Sequence, residues 1–287
     1  MMKSKVLLVL VCVILGIVII DSCKKDVSLP VLTTNNPTAI TINSVTSGGS
    51  ITSSGGADVT ARGVCYGTSQ NPTTAGSKTS DGKGSGSFSS SISGLTPNTM
   101  YYIRAYATNS AGTAYGNEVS FTTTALVAPA LTTVAITGIT LTTAISGGTI
   151  TSDGGASITA KGVCWSTSAN PTTDNGKTTD GTGIANFTSS LTALTPGTLY
   201  YVRAYATNSV GTTYGNELTF TTTALAAPTL TTTSASGITL TTASSGGEIT
   251  NNGGADVTAR GVCWSTSANP TTTDPKTSDG SGNGIFT

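Results

Sequence analysis

The sequence repeats itself at a strict interval of 99 residues, and this limits the possible fold more than any other feature. The interval separates equivalent prolines and equivalent cysteines: Pro30, Pro129 and Pro228, and Cys65, Cys164 and Cys263. Solenoid proteins usually repeat every 20 to 50 residues or so. A repeat about twice that long has the size of a whole domain. We therefore expect domains in tandem, each with its own hydrophobic core.

Gly, Pro and Asp turns divide each repeat into short segments in which apolar and polar residues alternate. In the second repeat they predict strands A at 130–133, B at 139–145 and 149–151 around a bulge at Gly147 and Gly148, C at 158–166, E at 186–194, F at 199–208 and G at 214–222. Strands of this spacing are typical of a β-sandwich of about 100 residues with Greek-key connections.

The most specific pattern is Leu-Thr-Pro-Asn-Thr-Met-Tyr-Tyr-Ile-Arg-Ala-Tyr-Ala-Thr-Asn from Leu95, which returns almost unchanged from Leu194. The proline fixes its own φ, and the residues after it alternate with the period of a half-buried strand. A tyrosine four residues after such a proline, here Tyr101 and Tyr200, can bond its hydroxyl to the turn and fix the corner between two sheets.

Leu-x-Pro-x-Thr-x-Tyr followed by an alternating strand closely resembles the tyrosine corner and F strand of fibronectin type III domains. The resemblance implies an all-β chain of tandem immunoglobulin-like, fibronectin type III-like β-sandwiches. The predicted units are 30–128, 129–227 and an incomplete 228–287. The implied role of Tyr101 and Tyr200 is structural, and the fold by itself indicates no particular function.

The third repeat stops inside its strand E, because Thr287 aligns with Thr188 of the second repeat. Without strands F and G, it would expose sheet edges and an apolar face. We expect the sequence to be a fragment of a longer protein; the alternative is that another chain donates the missing strands.

Strand C of each repeat carries Gly-Val-Cys followed by an aromatic residue, Tyr66, Trp165 or Trp264. Alternation places the valine and the aromatic on one face, which we assign to the core. Stacking of these aromatics on carbohydrate is the alternative. With one cysteine at an equivalent position in each repeat, Cys65, Cys164 and Cys263 are expected to be free thiols that pack as small hydrophobes.

Two further motifs recur. Glu118 and Glu217 end a Tyr-Gly-Asn-Glu segment on strand G, and we expect cross-strand ion pairs with arginines such as Arg62 or Arg104. Asp81 and its copies lie in Asp-Gly segments that we interpret as turns, because one carboxylate supplies too few oxygens for calcium.

At the N-terminus, two lysines precede an apolar run at residues 6–20, followed by Asp-Ser-Cys. As a helix the run would be about 22 Å long, short of the roughly 30 Å hydrocarbon core. It therefore predicts a secretory signal peptide at 1–22. A cysteine directly after such a run resembles the lipobox of bacterial lipoproteins, which implies acylation of Cys23 as the mature N-terminus and a lipidated tether at 23–29. An uncleaved anchor and an ordinary signal peptide are the alternatives.

Lys24, Lys25 and Asp26 follow that cysteine. Charged residues at this place resemble the tag that directs some Gram-negative lipoproteins to the outer face of the outer membrane. The alternative is a solvated tether. The localisation expected from this resemblance is the outer membrane, lipid-anchored and at the cell surface.

The composition argues against catalysis. The chain has no His, which removes the commonest general base and metal ligand, and the spacing of its carboxylates, lysines and tyrosines shows no catalytic cluster. We expect no enzymatic activity, no cofactor and no metal. The 13 basic and 13 acidic residues balance, so nucleic acid is not an expected partner.

Two functions remain. The first is a non-catalytic, lipid-anchored cell-surface protein whose units form an adhesive or scaffold array with a protein or glycan ligand. The second is a stalk that presents a ligand-binding or enzymatic domain lying beyond the present sequence. Whether the reading frame continues past Thr287 would distinguish them.

Overall fold

The computed structural model describes residues 26–287, and every regular element in that range is a β-strand. The described chain falls into two compact units that divide between Ala125 and Leu126. The first contains the repeat at 30–128, called repeat 1 below, except for its last three residues, which fall in the second unit. The second contains repeat 2, at 129–227, and repeat 3, at 228–287. The boundaries at 128/129 and 227/228 stay predictions.

Repeat 1 forms two sheets. Its strands are β1 (Val31–Thr34), β2 (Ser44–Ser53), β3 (Ala61–Gly67), β4 (Ser77–Lys78), β5 (Gly86–Ser93), β6 (Met100–Asn109), β7 (Gly112–Tyr115) and β8 (Val119–Thr122). One sheet has the order β1-β2-β5; the other has the order β4-β3-β6-β7, with β8 also paired to β6. These orders correspond to strands A-B-E and C′-C-F-G of a fibronectin type III sandwich.

Repeat 2 has the same topology. Its strands are β9 (Ala130–Thr137), β10 (Ala144–Ser152), β11 (Ala160–Ser166), β12 (Gly176–Lys177), β13 (Phe187–Leu191), β14 (Leu199–Thr207), β15 (Thr212–Tyr214) and β16 (Leu218–Thr221). The sheets are β13-β10-β9 and β12-β11-β14-β15, with β16 paired to β14. The predicted fold class, all-β with tandem immunoglobulin-like sandwiches, is confirmed.

The predictions for strands B and G of repeat 2 need correction, and one strand was missed. Strand B begins at Ala144 rather than at 139, because Thr140 closes a turn by accepting the backbone N–H of Thr143 at 3.0 Å. Strand G is split into β15 and β16 by a short segment around Gly215. A strand C′, β12, pairs with β11 and was not predicted.

The predicted bulge at Gly147 and Gly148 is confirmed by a register shift between β9 and β10 next to Gly147. These glycines let β13 pack closely on β10. A Cβ on Gly147 would overlap the carbonyl oxygen of Phe187, and one on Gly148 would lie 2.5 Å from the Phe187 ring.

The core of each complete repeat lies between its two sheets. Ile103 and Val64 are fully buried at the centre of repeat 1, and Val202 and Val163 take the same places in repeat 2. This is the alternation predicted for strands C and F. Each such side chain stabilises the fold by about 1.5–3 kcal/mol relative to an exposed position.

Repeat 3 contains one sheet, β17 (Thr229–Ser236), β18 (Ser244–Asn251) and β19 (Gly284–Phe286), in that order. Its small core is formed by Ile249, Val257 and Phe286. Next to that core lies a cavity of about 350 Å³, on the side where strand F lies in the complete repeats. Trp264, the counterpart of Trp165, is 52% exposed.

The chain just before each repeat's first strand is bound to that repeat. Val127 donates its N–H to Gly154 O at 2.9 Å, and its carbonyl accepts the Asn208 side-chain amide at 2.8 Å. The same amide also donates to Asp153 O at 2.8 Å. Residue 127 therefore packs as part of repeat 2, although it precedes the proline that marks the repeat in the sequence.

Candidate functional site

The two tyrosines singled out from the sequence lie at the start of strand F, next to the turn that precedes it. The hydroxyl of Tyr101 accepts a hydrogen bond from the backbone N–H of Thr96 at 3.1 Å, and Tyr200 accepts one from Thr195 at 3.0 Å. Both rings are buried, and Tyr200 stacks on Phe220 with ring centroids 5.6 Å apart. This is the geometry of a tyrosine corner; its energetic role stays a prediction.

We expect Tyr200→Phe to lower the free energy of unfolding of repeat 2 by about 1 kcal/mol, since it removes one partly buried hydrogen bond and keeps the ring. Urea unfolding followed by Trp165 fluorescence, in a Trp264→Phe background, measures the change. Tyr201→Phe, on the other face of β14, is the control and should change little. An unaltered midpoint for Tyr200→Phe would contradict the structural role.

Cys23, the predicted lipidation site, lies outside the described residues. Cys65 and Cys164 are free and fully buried, and Cys263 is free and partly exposed. The free-thiol prediction is confirmed for these three. Burial raises the pKa of the Cys65 and Cys164 thiols to about 11. Such thiols are poor nucleophiles near neutral pH.

The burial of Cys164 is explained by the segment that carries strand C′, which folds over the outer face of the C-F-G sheet. The thiol donates to the carbonyl of Pro171 at 3.3 Å, and Tyr205 donates its hydroxyl to Thr178 O at 2.7 Å. Sequence alternation placed this cysteine and this tyrosine on the outer face but gave no sign that the face is covered.

Asp81, interpreted from the sequence as a turn residue, also links the two sheets. Its carboxylate accepts the Thr79 hydroxyl at 2.7 Å and the hydroxyl of Ser90, which is fully buried on β5. Thr79 in turn accepts the backbone N–H of Val64 at 2.8 Å. Asp180, Thr178 and Ser189 repeat this arrangement. The carboxylate therefore has a structural role in both complete repeats.

The predicted ion pairs of Glu118 with Arg62 or Arg104 are wrong. Arg104 lies over the ring of Tyr115, 4.9 Å from its centroid, and donates to Gly116 O at 3.0 Å. Arg62 lies over Phe88 and donates to the carbonyls of residues 81, 84 and 85. Carbonyl oxygens and ring faces satisfy these cations, and the glutamate has another partner.

That partner is the loop between β3 and β4, the C–C′ loop at residues 68–76. Glu118 accepts the backbone N–H of Asn71, and Tyr115 accepts the backbone N–H of Thr74 at 3.1 Å. Asn117, between them in sequence, accepts the N–H of Thr34 at 3.0 Å and so holds strand A instead. The Tyr-Gly-Asn-Glu motif thus fixes one loop and one edge strand, and repeat 2 uses it in the same way.

A polar cavity of about 360 Å³ lies at this loop in repeat 1. Tyr66, half-buried at the rim of the core, forms part of its wall. The other lining residues are small or uncharged: Gly67, Thr68, Ser69, Gln70, Asn71, Pro72, Thr73, Gly76 and Ser77. The sequence pattern predicts Tyr66 in the core but not the cavity, because the cavity depends on loop geometry.

Two observations concern the described part of the chain only. Residues 26–287 contain no group of His, Cys, Asp or Glu side chains placed to hold a metal ion. Nor do they form a helix with the length and apolar character required to cross a membrane.

Neither a protein-family model nor a curated protein matches the chain. Among solved structures, the sensor domain of the anti-sigma factor RsgI4 from Pseudobacteroides cellulosolvens is 22% identical over 35% of this chain and 99% of that one, with a TM-score of 0.28. A two-domain fibronectin type III segment of chicken tenascin is 15% identical over 68% and 98%, with a TM-score of 0.31. The FN1–FN3 domains of chicken CNTN1 are 13% identical over 69% of each chain, with a TM-score of 0.29.

Proposed function

We propose that the chain is a non-catalytic, lipid-anchored protein of the bacterial outer membrane surface, in which fibronectin type III-like units form an adhesive or scaffold array. The observation that supports this most directly is the use of polar side chains inside the complete repeats. Charged and hydroxyl groups that recur at the 99-residue interval hold loops, edges and sheets together.

Lys161 illustrates the point. It is 4% exposed, donates to the carbonyls of Gly183 and Ala185 at 3.1 and 2.6 Å, and lies over the Phe187 ring. A buried lysine could in principle serve as a nucleophile or base. Here its ammonium is bound by carbonyl oxygens and a ring face, as Arg62 is in repeat 1. In residues 26–287, every buried side-chain nitrogen and oxygen has a hydrogen-bond partner.

Polar side chains that are bonded within the domain favour a binding or scaffolding role over a catalytic one. Domains whose recurring residues maintain the sandwich can present loops that differ from one repeat to the next. The membrane anchor in this proposal comes from Cys23 and rests on the sequence. A diacylglycerol group together with an added acyl chain provides stable attachment, for which a single chain is marginal.

The anchor is tested by expression in a Gram-negative host fed an alkyne fatty acid. We expect label on the wild-type chain and none on Cys23→Ala, because the acylated thiol and amine belong to that residue. Cys12→Ala, inside the apolar run, is the matched control and should keep the label. Equal labelling of wild type and Cys23→Ala would refute the anchor. Protease treatment of intact cells then tests the surface location. A chain that fractionates with the outer membrane but resists the protease would face inward.

A further inference from the structure

We propose that the C–C′ loop cavity of repeat 1 is a binding site for an uncharged, hydroxyl-rich ligand of the saccharide class. This goes beyond the proposed function, because it assigns a site and a ligand chemistry and does not depend on whether Cys23 is acylated. Three features of the molecule support this site: the chemistry of the lining, the rigidity of the loop and the differences between the repeats.

The lining combines one aromatic residue with neutral hydrogen-bonding groups. Tyr66 provides the aromatic surface, Gln70 and Asn71 provide amides, and hydroxyls come from Thr68, Ser69, Thr73 and Ser77. Amides and hydroxyls both donate and accept, so they match the mixed donors and acceptors of a sugar hydroxyl. The lining carries no charged side chain to pair with an ionic ligand. A volume of about 360 Å³ is at the small end for ligand sites, which suits one or two sugar rings.

The loop is held in place before any ligand arrives. Tyr115 and Glu118 bind the backbone N–H groups of Thr74 and Asn71 from strand G, and the Lys78 ammonium donates to Thr74 O at 2.8 Å. Tyr115 follows Thr74 by 41 residues, and Glu118 follows Asn71 by 47, so the loop is held by a distant part of the chain. A loop fixed in this way loses little conformational entropy on binding.

The three repeats differ at the residues that shape the cavity. Gly67, Gln70 and Gly76 of repeat 1 align with Ser166, Ala169 and Asn175 of repeat 2 and with Ser265, Ala268 and Asp274 of repeat 3. The serines accept a backbone N–H within the loop. Asn175 and Asp274 each accept another. Repeat 1 has no side chain at two of these positions.

Strand C′ packs against the aromatic residue of strand C. A Cβ on Gly176 would lie only 2.8 Å from the Trp165 ring, so the backbone of β12 packs directly on the indole. In repeat 1 the equivalent position is Ser77, which pairs with Tyr66 in the same register. Gly67, the equivalent of Ser166, lies beside open space, because a Cβ there would meet no atom within 4 Å. The loop of repeat 1 therefore has open space at Gly67, where repeats 2 and 3 carry a serine side chain within a common loop framework.

The test converts the repeat 1 loop into the repeat 2 loop. The triple variant Gly67→Ser, Gln70→Ala, Gly76→Asn introduces residues that the same framework already holds in repeat 2. The full chain, in a detergent without a sugar head group, is applied to an array of neutral and acidic oligosaccharides. The strongest neutral oligosaccharide is then titrated by saturation-transfer difference NMR. We expect binding by the wild type and at least a tenfold weaker affinity for the triple variant.

Ala169→Gln in repeat 2 is the matched control and should leave the affinity unchanged. Continued protection of the Cys65 thiol shows that repeat 1 of the triple variant is folded, and if that protection is lost, Gln70→Ala alone replaces it in the titration. Absence of binding to every neutral oligosaccharide, binding to acidic ones only, or equal affinities of wild type and variant would each overturn the proposal.

Discussion

Ile103→Ala is expected to lower the free energy of unfolding of repeat 1 by about 2–5 kcal/mol. The side chain is fully buried on β6, at the centre of a core that both sheets contribute to. Truncation removes apolar contacts and leaves a cavity that the surrounding strands fill only in part. Because a domain of this size is stable by about 5–15 kcal/mol, the loss is a large share of the total.

Urea unfolding with alkylation of Cys65 as the readout measures this loss for repeat 1 alone. Ile40→Ala is the control in the same repeat: the side chain is 37% exposed, so the midpoint should move little. The midpoint read from Cys164, which belongs to the other compact unit, should not move with either variant. A loss below about 1 kcal/mol for Ile103→Ala would show that the two sheets are not packed as described.

Cys65 and Cys164 are expected to react with iodoacetamide at pH 8 more than about 1000-fold more slowly in the native chain than in urea, since reaction requires unfolding of a domain stable by about 5 kcal/mol or more. Both thiols are fully buried. Burial also raises their pKa from 9.0 to about 11, so the native chain holds less of the reactive thiolate at pH 8.

Mass spectrometry of alkylated peptides separates the cysteines. Cys263, partly exposed in repeat 3, is the internal control and should react in the native chain. The raised pKa also predicts how the stability of the fold changes with pH. The stability contributed by the neutral buried thiols is fully present below pH 9.0 and is lost as the pH rises through about 11. Native Cys65 that reacts as fast as Cys263 would refute the covering of the outer face.

Tandem sandwiches, the strand that forms the centre of each, and the tyrosine corner could be predicted from the sequence. These features are local. Alternation over ten residues determines which side chains of strand F face the core, and Tyr101 bonds to a backbone group only five residues away. The 99-residue interval likewise gives the number of repeats without any knowledge of how they fold.

Only the tertiary structure decided which groups Asp81 and Glu118 bind and which segment covers Cys65. Glu118 binds a backbone group 47 residues earlier, and Asn117 binds strand A across 83 residues. The sequence predicted an ion pair of this glutamate with an arginine, whereas its carboxylate accepts a backbone N–H of the C–C′ loop. Residues that lie far apart in the chain meet through strand order and loop path, which local alternation does not encode. The cavity at Tyr66 has the same origin, since it exists because a loop held from strand G leaves space beside Gly67.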